Sequence, residues 1–159
     1  MQLTQLNQFV VCRLDDQRYA LPLAAIERIV RAVEVTVLPH QQGMVLGVIN
    51  MAGDILPVLS LRRRLGLPER PVVPADQFLI ARTSLRTVAL VIDEAQELIE
   101  RTPAEIARST HIAPGFSQIQ GVVKVDDDLV LILDPEAWMG PEDAQALDKA
   151  LTSPVAHAA

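Results

Sequence analysis

The sequence predicts an all-β protein with a few short helices, organised as a pair of small barrels. Three observations lead there. Many short strand-like runs are separated by turn signals. The pattern also occurs twice. Phe9-Val10-Val11-Cys12-Arg13 followed by Tyr19-Ala20-Leu21 aligns with Phe78-Leu79-Ile80-Ala81-Arg82 followed by Val88-Ala89-Leu90 at a constant offset of 69 residues. Gly47-Val48-Ile49, Asp54-Ile55-Leu56 and Val58-Leu59 align with Gly121-Val122-Val123, Asp128-Leu129-Val130 and Ile132-Leu133 at an offset of 74. Identities are few, but apolar positions match apolar positions and turns match turns, as expected of duplication and fusion. Third, Val88–Ile92 and Leu129–Leu133 are apolar at every position, so these strands must be covered on both faces.

Taken in order, Gln8–Leu14 and Arg18–Leu23 read as strands joined by Asp15-Asp16-Gln17. Ala24–Val30 reads as a short helical turn, Arg31–Leu38 as extended, and Pro39–Gly43 as a loop. Val45–Met51 and Ile55–Leu61 form a hairpin across Ala52-Gly53-Asp54. Pro57 cannot donate to a ladder, which predicts an edge or bulge position. Leu61–Leu65 is a brief helix stopped by Gly66 and Pro68, and the three prolines of Pro68–Pro74 mark the joint between copies. The second copy gives strands Gln77–Thr83, Thr87–Ile92 and Ala95–Glu100, then a helical turn led by Pro103 to Ala107. Gln120–Val125 and Leu129–Leu133 close it as a hairpin across three aspartates, and Pro141–Leu151 reads as a C-terminal helix before a frayed tail.

Composition narrows the function. A net charge of −6 argues against a general nucleic-acid binder. No apolar run approaches the roughly 20 residues of a membrane-spanning helix, and no signal peptide is visible, so the expectation is a cytoplasmic protein. With 159 residues, half of them apolar, the chain has a core large enough to fold without staples. The single cysteine, Cys12, excludes an intramolecular disulfide and reads as a packed strand residue.

The residues that could carry chemistry have simpler readings. Asp126-Asp127-Asp128 sits where a turn is expected, and aspartate suits turns. Arg62-Arg63-Arg64 reads as a solvated helix face. His40, His111 and His157 lack metal-ligand spacing. Ser117 lacks the second glycine of a nucleophile elbow. Trp138 reads as an anchor for the closing segment. Only Asp93, Glu94, Asp134 and Glu136 could form an acidic catalytic group, and all adjoin strand ends, where turn or cap roles suffice. A pseudo-symmetric β protein without a catalytic cluster reads as a docking module.

The run from Val45 to Arg62, with Gly47-Val48-Ile49-Asn50 entering a hairpin and Pro57-Val58-Leu59-Ser60-Leu61-Arg62 leaving it, resembles the signature of CheW-like domains, the adaptors of bacterial chemosensory arrays. Tyr19-Ala20-Leu21 leading into Ile26, Val88–Asp93 followed by Glu94, and Gly121-Val122-Val123 before an acidic turn fit the same pattern, so the resemblance spans roughly Gln8 to Met139. It implies two five-stranded SH3-like barrels related by an approximate two-fold, with a hydrophobic groove between them. The implied activity is non-enzymatic and needs no cofactor or metal. One partner would be the regulatory domain of a chemotaxis histidine kinase, at a barrel end, with Arg62 a candidate contact to it. The other would be the helical cytoplasmic tip of a chemoreceptor, laid in the groove. Onto this chain the groove maps as Leu23 and Ile26, then Gly47, Val48 and Asn50, with Phe78, Ala89 and Ala95 from the second unit. Two departures stand out: the family usually carries Arg where this chain has Ala52, and commonly Glu where it has Arg28.

The domain reading is a single CheW-like domain over 8–139, made of intertwined subdomains at roughly 15–67 and 77–139 with the N-terminal strand shared, followed by a helix and tail over 140–159. The alternative from another class is a small-molecule-binding or regulatory β-barrel that uses the same groove as a pocket.

Overall fold

The computed structural model describes residues 6–38, 45–108 and 119–137, together with Gln145 and Asp148, which are helical. The expected loop at 39–43, the three histidines, Ser117, Trp138 and the tail lie outside the described residues.

Eleven strands are described: β1 (Asn7–Leu14), β2 (Gln17–Pro22), β3 (Ile26–Arg31), β4 (Val45–Met51), β5 (Asp54–Leu59), β6 (Gln77–Arg82), β7 (Thr87–Ile92), β8 (Glu94–Arg101), β9 (Ile106–Arg108), β10 (Ile119–Val125) and β11 (Asp128–Leu133). One α-helix, α1 (Leu61–Leu65), follows β5. Its limits are local chemistry: the Ser60 side chain accepts from the Arg63 N–H at 3.2 Å, and Gly66 closes the helix at φ 73°, where a Cβ is disfavoured. The helical turn expected over Ala24–Val30 shrinks to a 3-10 turn at Leu23–Ala25, and Ile26–Arg31 is a strand. Pairing of Ile29 and Val30 with Leu79 and Phe78 on β6 decides this against local propensity. The Pro103 turn likewise ends at Glu105, giving way to β9.

The strands form two sheets, ordered β8-β1-β2-β11-β10-β9 and β3-β6-β7-β5-β4. The two repeats obey one plan down to register. Val58 lies beside Ala89 in parallel pairing, and Ile132 beside Ala20. Bulges recur at matching places, between Ile26 and Arg28 opposite β6, and between Ala95 and Glu97 opposite β1. A Cβ on Gly47 would lie 2.3 Å from the Thr36 carbonyl oxygen, and one on Gly121 would lie 2.6 Å from that of Ala107. Both glycines are therefore dictated by the close approach of a backbone at the same point of each repeat.

The repeats also exchange their first hairpins. The β1–β2 hairpin of the first repeat joins the sheet built by β8–β11 of the second, while β6–β7 of the second joins β3–β5 of the first. Strand pairing thus crosses the 15–67 and 77–139 division expected from the sequence. The six-stranded sheet takes both N-terminal strands, not one shared strand. Pro57 lies on an interior strand, not an edge. It is accommodated because β7 pairs only from Val58 onward.

Three apolar clusters follow from the exchange. Phe9, Val11, Ala20, Val123, Val130 and Ile132 fill the six-stranded sheet, and Ile49, Leu56, Val58, Phe78, Ile80 and Ala89 fill the other. The largest lies between the sheets, where Leu14, Tyr19 and Leu21 meet Leu59, Leu79, Val88, Leu90 and Ile92. Alternate residues of β7 therefore face two different cores, which explains its unbroken apolar run. Each fully buried leucine or isoleucine here stabilises the fold by roughly 1.5–3 kcal/mol.

Candidate functional site

The bulge at Ile26–Arg28 turns two consecutive side chains, Glu27 and Arg28, toward solvent on the edge strand β3. Across the end of the five-stranded sheet lies the β4–β5 turn, Ala52-Gly53, with φ of 52° and 95°. Both central residues have positive φ, the geometry of a tight hairpin turn. The Asn50 side-chain oxygen accepts the Gly53 N–H at 2.9 Å, which locks the turn. Between these elements is a cleft of about 340 Å³. Leu56 and Ile80 form its apolar floor, Met51 and the half-exposed Ile55 its wall, and Arg28, Asp54, Arg86 and Thr87 part of its rim. The two sequence departures, Arg28 and Ala52, thus stand on one cleft.

The other groove residues expected from the sequence are dispersed. Phe78 and Ala89 have no exposed surface and belong to the five-stranded sheet's interior. Val48 is buried in the core between the sheets, and Gly47 is buried against Thr36. Ile26 and Ala95 are partly buried against that same central core. Leu23 lines a separate cavity of about 520 Å³ at the six-stranded sheet, with Phe9, Ile106 and Ile132. Asn50 is exposed but committed to its turn.

Arg62 is placed against expectation. Its side chain is 8% exposed and donates to the Asp15 carboxylate at 2.9 Å, to Asp93 at 2.9 and 3.1 Å, and to the Pro68 carbonyl at 3.0 Å. Left in solvent, Arg62 would deprive Asp93, itself 9% exposed beside the core, of one of its guanidinium partners. Arg70 completes the cluster, at 2.7 Å from both Asp93 and Asp76. Burial alone would raise the Asp93 carboxyl, but the Asp15 N–H at 2.8 Å and the two guanidinium groups hold it below the usual range. The Arg62 hydrogen bond lowers Asp15 as well. These charges neutralise one another and pin the joint at 66–76 to the β1–β2 turn and the end of β7. Arg70 and Asp76 carry no periodic signal in the sequence, and an acid immediately before the apolar strand β6 is the only hint. Of the remaining acidic candidates, Asp134 accepts the Glu136 N–H at 3.0 Å and Glu136 accepts the Ser84 N–H at 3.0 Å, while Glu94 opens β8 as an exposed residue. Asp126 and Asp127 form the closing hairpin turn with φ of 49° and 70°, as expected for a turn role.

A family model described as the CheW-like domain matches residues 8–141. The chain belongs to the CheW-like domain family. It is 26% identical over 147 residues to the chemotaxis protein CheW of Bacillus subtilis, covering 88% of this chain and 91% of that protein. It is 30% identical over 131 residues to the chemotaxis protein CheW of Helicobacter pylori, covering 81% of this chain and 79% of that one. The fold matches the crystal structure of the scaffolding protein TtCheW from Thermoanaerobacter tengcongensis with a TM-score of 0.77, at 22% identity, covering 90% of this chain and 92% of that one. The two-sheet architecture is therefore that of a CheW-like domain, as the Val45–Arg62 signature implied.

Proposed function

We infer that this CheW-like domain is a non-enzymatic adaptor coupling chemoreceptors to a chemotaxis-type histidine kinase in a bacterial chemosensory pathway. The observation that carries the reading is the family match over 8–141 on a two-sheet fold. In this reading the regulatory domain of the kinase docks on a sheet end. The helical cytoplasmic tip of the receptor meets the face bearing Arg28 and Ala52, and the protein acts in the cytoplasm beneath receptor arrays. Side-chain chemistry supports a docking role, because among the described residues the dense charged cluster around Arg62 and Asp93 is spent on internal ion pairs. Modest affinity at each face is sufficient, since an array multiplies weak contacts by effective concentration. Calorimetric titration with the kinase regulatory domain from the same source tests the reading. Saturable binding is expected, and a folded kinase domain that does not bind would overturn it.

A further inference from the structure

The duplication gives the cavity on the six-stranded sheet an internal control. That cavity, of about 520 Å³, is walled by Phe9, Pro22, Ile106, Gln120 and Ile132, with Leu6 at its edge. The two constant offsets between the repeats place Phe78, Val91, Leu46 and Val58 at the matching points of the five-stranded sheet. Val35 matches Ile106, because each lies against the buried glycine of its repeat, Gly47 or Gly121. All five counterparts belong to one apolar cluster.

On the five-stranded sheet the chain covers that cluster itself: Val72, in the joint, packs against it. Pro71 and Pro74 hold the segment extended, since proline fixes its own φ and drives the preceding residue out of the helical region. Its far end is fastened. The Ala32 N–H donates to the Asp76 carbonyl at 3.0 Å, and the buried Asp76 carboxylate takes Arg70 at 2.7 Å and the Val73 N–H at 2.9 Å. On the six-stranded sheet, among the described residues, nothing ahead of β1 packs in this way, and Leu6 is 53% exposed. Asn7 stands there in place of Asp76 and Gln120 in place of Leu46, both exposed at the rim. The lining carries no charged side chain. One sheet thus has its apolar seat filled by an extended segment, while the other offers an uncharged seat edged by amides. Its volume lies within the roughly 300–1,000 Å³ usual for binding cavities.

We propose that this seat binds an extended, uncharged peptide segment of another protein. An aliphatic side chain enters over Phe9, Ile106 and Ile132, as Val72 packs on the other sheet, and the Asn7 and Gln120 amides hold the main chain. A side-chain amide donates to a carbonyl and accepts from an N–H, so it reads peptide backbone without requiring charge. The uncharged lining selects against ionic segments, because a charge placed there is desolvated and unpaired. The proposal stands apart from the adaptor reading, in which the receptor tip is helical and meets the face bearing Arg28 and Ala52.

The joint supplies the probe. A peptide of the sequence Pro71–Ala75, blocked at both ends, is titrated into the full chain while the methyl signals are followed by NMR. Saturable shifts at Leu23, Ile106 and Ile132 are expected. Aspartate in place of the first valine of the peptide, or Gln120→Glu in the chain, should weaken binding about tenfold. The absence of a saturable shift would overturn the proposal, as would shifts gathered instead at Val58 and Val91, or equal binding of the aspartate peptide. Equal affinity for N-acetylvaline amide would assign the cavity to a small molecule. Binding gained only on removing residues 2–5 would assign it to the chain's own N-terminal segment. Either of these results overturns the proposal as well.

Discussion

Arg62→Ala isolates what the buried charge cluster contributes. Breaking a buried pair from one side costs about 3–5 kcal/mol, because the other charge is left desolvated. Here the stranded group is Asp93, but it keeps Arg70 at 2.7 Å, Arg13 at 3.4 Å and the Asp15 N–H at 2.8 Å. Those contacts bring the expected loss to about 2–3 kcal/mol. For a chain of this size that lowers Tm by about 4–12 °C, since each kcal/mol moves it by about 2–4 °C. Arg62→Met, which restores the apolar stem without the charge, should recover only a minor part. Denaturant melts of the three proteins at pH 7, with matched slopes, provide the measurement. A loss below about 1 kcal/mol for Arg62→Ala, or full recovery with methionine, would show that the cluster is a solvated surface network and refute the argument.

Acid should weaken the fold through the same cluster. Asp93 and Asp15 are held below their ordinary values, so their contribution is fully present above the unfolded carboxylate pKa of about 3.9. It is lost as pH falls through that value toward the folded one, and a pH series of melts should show this limb flattened in Arg62→Ala. Gly47→Ala drives a Cβ to 2.3 Å from backbone that cannot swing aside, so it should cost at least the 1–3 kcal/mol typical of overpacking, and more than Gly121→Ala, as read by chemical denaturation. Burial, reinforced by the Asp93 charge, pushes the Cys12 thiol up to about 12, so it should resist a thiol reagent at pH 8 until the protein is unfolded. Labelling of the native protein at the rate of a free thiol would contradict the packing around β1.

Short apolar runs between turn signals made β1, β2 and β4–β7 readable, and the unbroken run of β7 announced a strand covered twice; on β11 that coverage begins only at Val130, because Leu129 is 67% exposed. The cap chemistry of Ser60 and Gly66 fixed α1 locally. What patterning cannot say is which sheet a strand joins. Leu79 and Phe78 alternate as any strand would, and only tertiary pairing sends one to the central core and the other to the five-stranded sheet. The exchange of hairpins was therefore hidden, and so was the strand at Ile26–Arg31, whose local sequence tolerates a helix. At the site, Arg28 and Ala52 were legible as departures from a pattern, and the structure sets both on one cleft. Phe78 and Ala89 map to the groove only by their place in a motif. Motif position is blind to the face of a strand, and theirs points into the sheet. Arg62 misled for a related reason: three consecutive arginines look solvated until a distant acid, Asp93, takes one of them.

The hairpin exchange bears directly on scaffolding. Each sheet is completed by strands from the other repeat, so neither sheet retains its full set of pairings if the repeats separate, and the core between them is the largest of the three. The joint is fixed as well, because Arg62, which also holds the Pro68 carbonyl, and Arg70 tie the 66–76 segment to Asp15 and Asp93. The relative placement of the two sheet ends is thereby set by a shared core and a shared charge cluster, not by a hinge. A protein that must hold two partners at a defined spacing needs that rigidity. The ends are alike in backbone and register, yet Arg18 is ion-paired to Asp128 and Glu97 on one, whereas among the described residues the Arg28 side chain has no such partner on the other.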